Sequence, residues 1–202
     1  MSFPTKFYDD AAKKAAAGSH VLWFTGVQCQ RKEKFLAFLT SFTQGITSTW
    51  NTEPVYGRVD PIATFQGNQR TISISWDVPA GSLEDAKGNL SRFGNLTKLV
   101  YPSYTQSGTP KAENFNALTL GKPPLIRIKY ANLISGPNNA GLLGYIGNLN
   151  WSPVLDMGVL QDSANIYPKV VNLSLDFTVL HEEVVGWDKS SFRAAKFPFG
   201  GK

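Results

Sequence analysis

Cysteine is nearly absent from this 202-residue chain. Cys29 stands alone, so no intrachain disulfide can form and a cross-linked secreted scaffold is excluded. Histidine is almost as scarce: with only His20 and His181, an ordinary zinc site would need carboxylates from elsewhere, and His181-Glu182-Glu183 reads better as a structural strand end. Charged residues make up 17 % of the chain, below the usual quarter, which predicts surface that is polar but uncharged or covered by neighbours. No run approaches 18 apolar residues, and MSFPTKFYDDAAKK lacks the basic-then-apolar pattern of a secretion signal. The expectation is a chain made in a cytoplasm, without membrane attachment.

The signatures of catalysis are missing too. G-x-S-x-G, H-E-x-x-H and G-x-x-x-x-G-K-[ST] do not occur, and Gly141, Gly144 and Gly147, though spaced by threes, open no helix that could cradle a phosphate. Arg31 and Lys32 could lower the Cys29 thiol pKa, but VQCQRK is no recognisable nucleophile context, and a plain surface cysteine is the better reading. A carboxylate pair can always be chosen from fifteen acids, so that possibility carries no weight. Along the sequence, aromatics are not grouped with basic residues as on an RNA-binding sheet. The reading is a non-enzyme with no cofactor and no metal.

What is present favours strands and turns: eighteen glycines, twelve prolines and 12 % aromatics. The organising stretch is residues 54–101. Tyr56-Gly57-Arg58-Val59-Asp60-Pro61 is turn chemistry. Residues 69–78 alternate with a period of two, Ile72, Ile74, Trp76 and Val78 against Thr71, Ser73, Ser75 and Asp77, which predicts a half-buried strand. Ser82 then caps a helix over about residues 82–100. Its stripe is Leu83, Ala86, Leu90, Phe93 and Thr97, widened by Leu96 and Val100, and Pro102 stops it.

Further strands are predicted at 20–28, 35–42, 125–133, 142–151 (with Gly147 as a bulge) and 169–180, the clearest of all. Residues 43–53 read as a polar loop, and 103–124 as a long irregular one of the kind that is usually functional. Residues 151–167 form another connection, with room for a short strand. The expected class is α+β, mainly antiparallel, a two-sheet sandwich or distorted barrel with one flanking helix. Residues 1–18 form an N-terminal arm, 19–187 the domain, and 188–202 a basic tail. In that tail Lys189, Arg193, Lys196 and Lys202 follow Asp188 with no further acid. The net charge of +5 admits an acidic partner, although a solvated end is the commoner meaning of such a tail.

The order of features is more specific than any one of them. FLTSFTQGITSTWNTEPVYGRVDPIATFQGNQRTISISWDVPA, a helix ending in LVYPSY, KPPLIRIKYANLI, GLLGYIGNLNWSPVLDMG and YPKVVNLSLDFTVLHEEVVGW together resemble the tube-initiator and related baseplate proteins of contractile-tailed bacteriophages (myoviruses). The resemblance spans roughly residues 35–187. It rests most on Tyr56-Gly57-Arg58 with Asp60-Pro61, on Tyr101-Pro102-Ser103-Tyr104, and on residues 181–187.

The resemblance implies a tail-tube-like fold and six copies in a ring whose sheets join into one β-barrel around a channel. Such a ring sits in the virion on the baseplate hub and templates the first ring of tail tube protein. The tape-measure protein and genomic DNA occupy or pass through the channel, and the sheath lies outside. Neighbouring families share the fold, so tube protein and tail terminator ring remain alternatives. The chain carries more loops than a minimal polymerising subunit needs, which favours the initiator. A nucleic-acid-binding module and a cell-wall-degrading baseplate enzyme are the readings from other classes. On the ring reading, Tyr56, Arg58, Asp60 and Pro61 are inter-subunit contact candidates, and a self-contained turn is the alternative. Thr71, Ser73, Ser75 and Asp77 are lumen candidates, although any solvent-facing sheet would suit them equally. DNA slides best past a wall without strong positive charge, so the lysines and arginines are expected at interfaces or outside.

Overall fold

A computed structural model describes residues 21–106, 118–136, 140–162, 165–188, 191–193 and 197–198. Seven strands form one antiparallel sheet: β1 (Val21–Gly26), β2 (Lys32–Leu36), β3 (Phe38–Glu53), β4 (Ile62–Pro79), β7 (Ile126–Tyr130), β8 (Leu142–Pro153) and β11 (Val170–Val179), in the order β2-β1-β7-β8-β11-β4-β3. Three two-stranded ribbons accompany it: β5 (Tyr104–Gln106) with β6 (Leu118–Leu120), β9 (Val159–Asp162) with β10 (Asn165–Pro168), and β12 (Gly186–Asp188) with β13 (Ser191–Arg193). Among the described residues one α-helix, α1, spans Leu83–Val100. The expected class, α+β and mainly antiparallel with one helix, is the observed one.

The large sheet rolls onto itself. Phe24 on β1 and Trp76 on β4 are four strand spacings apart in the sheet order, about 19 Å if the sheet were flat. Their ring centroids are 6.0 Å apart, and Phe35 on β2, one strand further still, lies 6.1 Å from Trp76. The two halves therefore face each other across a single core. Ala37 makes the corner: it alone separates β2, at one edge of the sheet, from β3, at the other. The expected single strand over 35–42 is thus two strands meeting at that corner. Alternation fills the core, with Ile72, Ile74, Trp76 and Val78 from β4 and Val171, Leu173, Leu175, Phe177 and Val179 from β11 all buried. The bulge expected at Gly147 is present, since Asp176 pairs with Asn148 and Phe177 with Ile146, leaving Gly147 unpaired.

Helix α1 forms for the reasons its sequence offers. Ser82 Oγ accepts a hydrogen bond from the Asp85 amide at 3.1 Å, Glu84 and Asp85 occupy the positive first turn, and Lys98 the last. Its buried seam is centred on Phe93, between Ala86 and Leu96, rather than on Leu90, which stays 41 % exposed at the rim. Phe93 stacks on Trp151 of β8 with centroids 5.9 Å apart. Lys87 pairs with Asp162 and lies over the Tyr167 ring, tying the helix to the β9–β10 ribbon.

The expected polar loop at 43–53 is strand. Residues 43–53 continue β3, and residues 62–68 extend β4 ahead of its predicted start, so the two make one long hairpin. The long segment 103–124 carries the β5–β6 ribbon at its ends, and residues 151–167 hold a 3₁₀ turn (Leu155–Met157) and the β9–β10 hairpin. The expected N-terminal arm, most of the basic tail and the middle of the 103–124 segment lie outside the described residues.

Candidate assembly surfaces

Three surfaces stand out, and each comes from the sheet's register. The first is the outer face of β3-β4-β11-β8. Pairing sets four rows across these strands: Phe38, Asp77, Asn172, Ser152; then Ser41, Ser75, Ser174, Asn150; then Thr43, Ser73, Asp176, Asn148; then Gly45, Thr71, Thr178, Tyr145. Hydroxyls and amides dominate, the only charges are the carboxylates of Asp77 and Asp176, and no lysine or arginine is present. Hydrogen bonds knit the strands on this face. Ser73 Oγ donates to Asp176 Oδ1 at 2.6 Å, and Asn172 Nδ2 donates to Asp77 Oδ1 at 2.7 Å. The four sequence-derived lumen candidates, Thr71, Ser73, Ser75 and Asp77, lie in a single file on this face. Their partners from β3, β8 and β11 were not joined to them by sequence reading, because register is a property of pairing and not of any one strand.

The second surface is the hairpin β3–β4 beyond the core. Arg70 is the last buried residue on β4, and the strand runs eight more residues outward to Ile62, about 25 Å of free ribbon. Apolar side chains stand exposed along it: Ile46, Trp50, Val55, Ile62 and Phe65, with Trp50 and Phe65 packed edge to face at 5.2 Å. At its tip Tyr56 and Val59 are fully exposed. Gly57 supplies the positive φ of 82° that the turn needs, and the Arg58 amide donates to the Val55 carbonyl at 3.2 Å. The contact candidates Tyr56, Arg58, Asp60 and Pro61 thus occupy the tip of an arm rather than a turn packed against the domain. Strand β3 is also a sheet edge. Over sixteen residues it carries no proline and no lysine, only Glu53, so apart from the bulge at Thr40 it has little to guard it against pairing with another chain.

The third surface is the mouth of the roll at the root of that arm. Arg70, 1 % exposed, points inward there. Its Nη2 donates to Gln44 Oε1 at 2.8 Å and to the Pro198 carbonyl at 3.1 Å, and its guanidinium lies 5.1 Å from the Phe197 ring centroid. Although a solvated end is the expectation for this tail, Phe197 and Pro198 cap a buried cation. Burial lowers the Arg70 pKa. His181 stands beside the same ring, centroids 5.9 Å apart, and its pKa is lowered by desolvation and then by the Arg70 charge.

Catalytic geometry does not emerge from these surfaces. Cys29 is exposed in the turn after β1, and His20 lies outside the described residues. Among the described residues no three His, Cys, Asp or Glu side chains converge as metal ligands, and no helix is long and apolar enough to cross a membrane. A shallow apolar groove runs between α1 and the sheet, lined by Phe35, Val78, Leu90, Phe93, Trp151 and Pro168. No protein-family model matches the chain, and neither does any curated protein.

Proposed function

We propose that this protein is a structural subunit of a contractile phage tail. Six copies form a ring at the baseplate–tube junction, initiate the tail tube and line the DNA channel with the β3-β4-β11-β8 face. The observation that carries the reading is the composition of that face. In a chain with five more basic than acidic residues, a four-stranded surface free of lysine and arginine is a selective arrangement. A wall of hydroxyls, amides and two carboxylates holds water and repels phosphate weakly, so a duplex can pass without being gripped.

The arm and the open edge of β3 support the same reading. A two-stranded ribbon is marginally stable alone in water, and this one exposes Trp50, Phe65 and Tyr56. A neighbouring copy would cover the arm, and strand pairing along β3 would join one subunit's sheet to the next. The hub and the first tube ring would meet the ring's two ends, with the tape-measure protein and genomic DNA inside. No cofactor and no catalytic residue enters this function.

Electron cryo-microscopy of an intact particle tests it. Six copies in one ring between hub and tube, with Thr71, Ser73 and Ser75 facing the channel, are expected. Many stacked rings would make the chain the tube protein instead, and a ring at the head end a terminator. Absence from the tail would end the structural reading.

A further inference from the structure

The opposite outer face of the roll, on β2-β1-β7, has the reverse character. Register places Trp23 directly between two lysines, Lys34 on β2 and Lys129 on β7, and places Thr25 between Lys32 and Arg127 in the next row. Residues that sequence order scatters over about a hundred positions thus form one basic patch around an aromatic ring, a grouping that is invisible along the chain. Trp23 is 39 % exposed, with its indole open to a partner. Lys34 and Lys129 flank it at one strand spacing on either side, so their ammonium groups bracket about 10 Å of surface. Among the described residues none of Lys32, Lys34 and Lys129 has an acidic partner.

Arg127, by contrast, is already paired within the chain. Its guanidinium holds the Glu182 carboxylate through two hydrogen bonds, at 2.5 and 2.6 Å. We infer that the β2-β1-β7 face is a docking surface for an acidic protein segment, whose carboxylates meet Lys32, Lys34 and Lys129 while an apolar side chain covers Trp23. Nucleic acid fits less well. A single aromatic offers one stacking platform where single-strand binders use several, and the Glu182 carboxylate amid the cations opposes a run of phosphates. The carboxylate-for-lysine pairing is complementary in charge, and the central indole supplies the apolar anchor that a rim of ion pairs lacks. Whether or not the far face lines a channel, this surface remains available to a partner.

Binding of poly-L-glutamate to the full chain, followed by calorimetry at 50 and 200 mM salt, tests the inference. Wild type should bind and weaken with salt. The Lys34→Ala/Lys129→Ala variant should bind about five- to tenfold more weakly, the scale of two exposed ion pairs. Trp23→Ser should also weaken binding, Lys34→Arg/Lys129→Arg should retain it, and Lys98→Ala on the helix should leave it unchanged. All substituted lysines lie at the surface, so the variants should melt with wild type by circular dichroism. No binding by wild type, or equal binding by the Lys34→Ala/Lys129→Ala variant, overturns the inference. So does tighter binding of a 20-nucleotide single-stranded DNA that the same double substitution abolishes, which would assign the face to nucleic acid.

Discussion

Trp76 is the residue on which the roll closes. Its ring touches Phe24 and Phe35 from the opposite half of the sheet and is wholly buried, yet its indole N–H has no acceptor among the described residues. The two properties oppose each other in mutants. Trp76→Ala removes the contact between the halves and should cost about 3–5 kcal/mol. Trp76→Phe keeps most of the ring and deletes a buried donor without a partner, so about 1–2 kcal/mol is expected. Urea unfolding midpoints at constant slope would read both, and a Trp76→Phe loss as large as that of Trp76→Ala would overturn the expected order. His181 makes a second prediction at this scale. Its pKa is lowered in the folded chain, so below about 6.5 the unfolded chain binds the proton that the folded one refuses. Stability is therefore full above that pH and declines as pH falls through it. Glu182, whose pKa Arg127 lowers, adds a separate loss only as pH falls below the ordinary glutamate range. His181→Gln should flatten the profile between pH 7.5 and 5.0 and leave the more acidic limb in place; an unchanged profile would remove His181 as the cause.

Among the elements, those with one wet and one dry face were legible in the sequence. Residues 69–78 and 169–180 alternate cleanly because one side meets the core and the other meets solvent, and α1 was marked by Ser82, its apolar stripe and Pro102. The outer part of β3 gives no strand signal for the converse reason: both faces of the arm are exposed, so Thr47 to Asn51 carry no hydrophobic contrast for a period of two to reveal. The polar face was legible only one strand at a time. Its rows and the Lys34–Trp23–Lys129 file exist through pairing between segments far apart in the chain. The arm's independence from the core gives an element-scale prediction. Replacing residues 48–68 by Asn-Gly would join Thr47 and Gln69, already a cross-strand pair, through a two-residue turn. No buried residue is lost, so the trimmed chain should melt within a few degrees of the full one. In the proposed ring it should fail to assemble with its neighbours, which sedimentation of complemented tails would detect. Normal tails built from trimmed subunits would show that the arm is not an assembly contact.

Across the whole molecule, charge is sorted by side. One outer face of the rolled sheet is mostly hydroxyls and amides, with two carboxylates as its charges and no lysine or arginine in its four rows, and the face behind it holds Lys32, Lys34, Lys129 and Arg127. Stability does not require such sorting, since exposed ion pairs contribute little wherever they lie. A requirement at one face would explain it, and in the proposed ring that requirement is passage of DNA. Thr43→Lys together with Asn150→Lys tests this directly. Both positions are exposed at the two margins of the polar face, away from the core, so folding and ring formation should persist. A six-fold ring would then present twelve added ammonium groups to the channel, and each phosphate contact releases a condensed counterion and tightens the grip on the duplex. Particles should assemble with tails of normal length and eject DNA more slowly, with infectivity down about tenfold or more and partly restored by salt during ejection in vitro. Glutamine at the same two positions should have no effect. Undiminished ejection by the lysine variant, with the ring present in the particle, would mean that this face does not meet DNA.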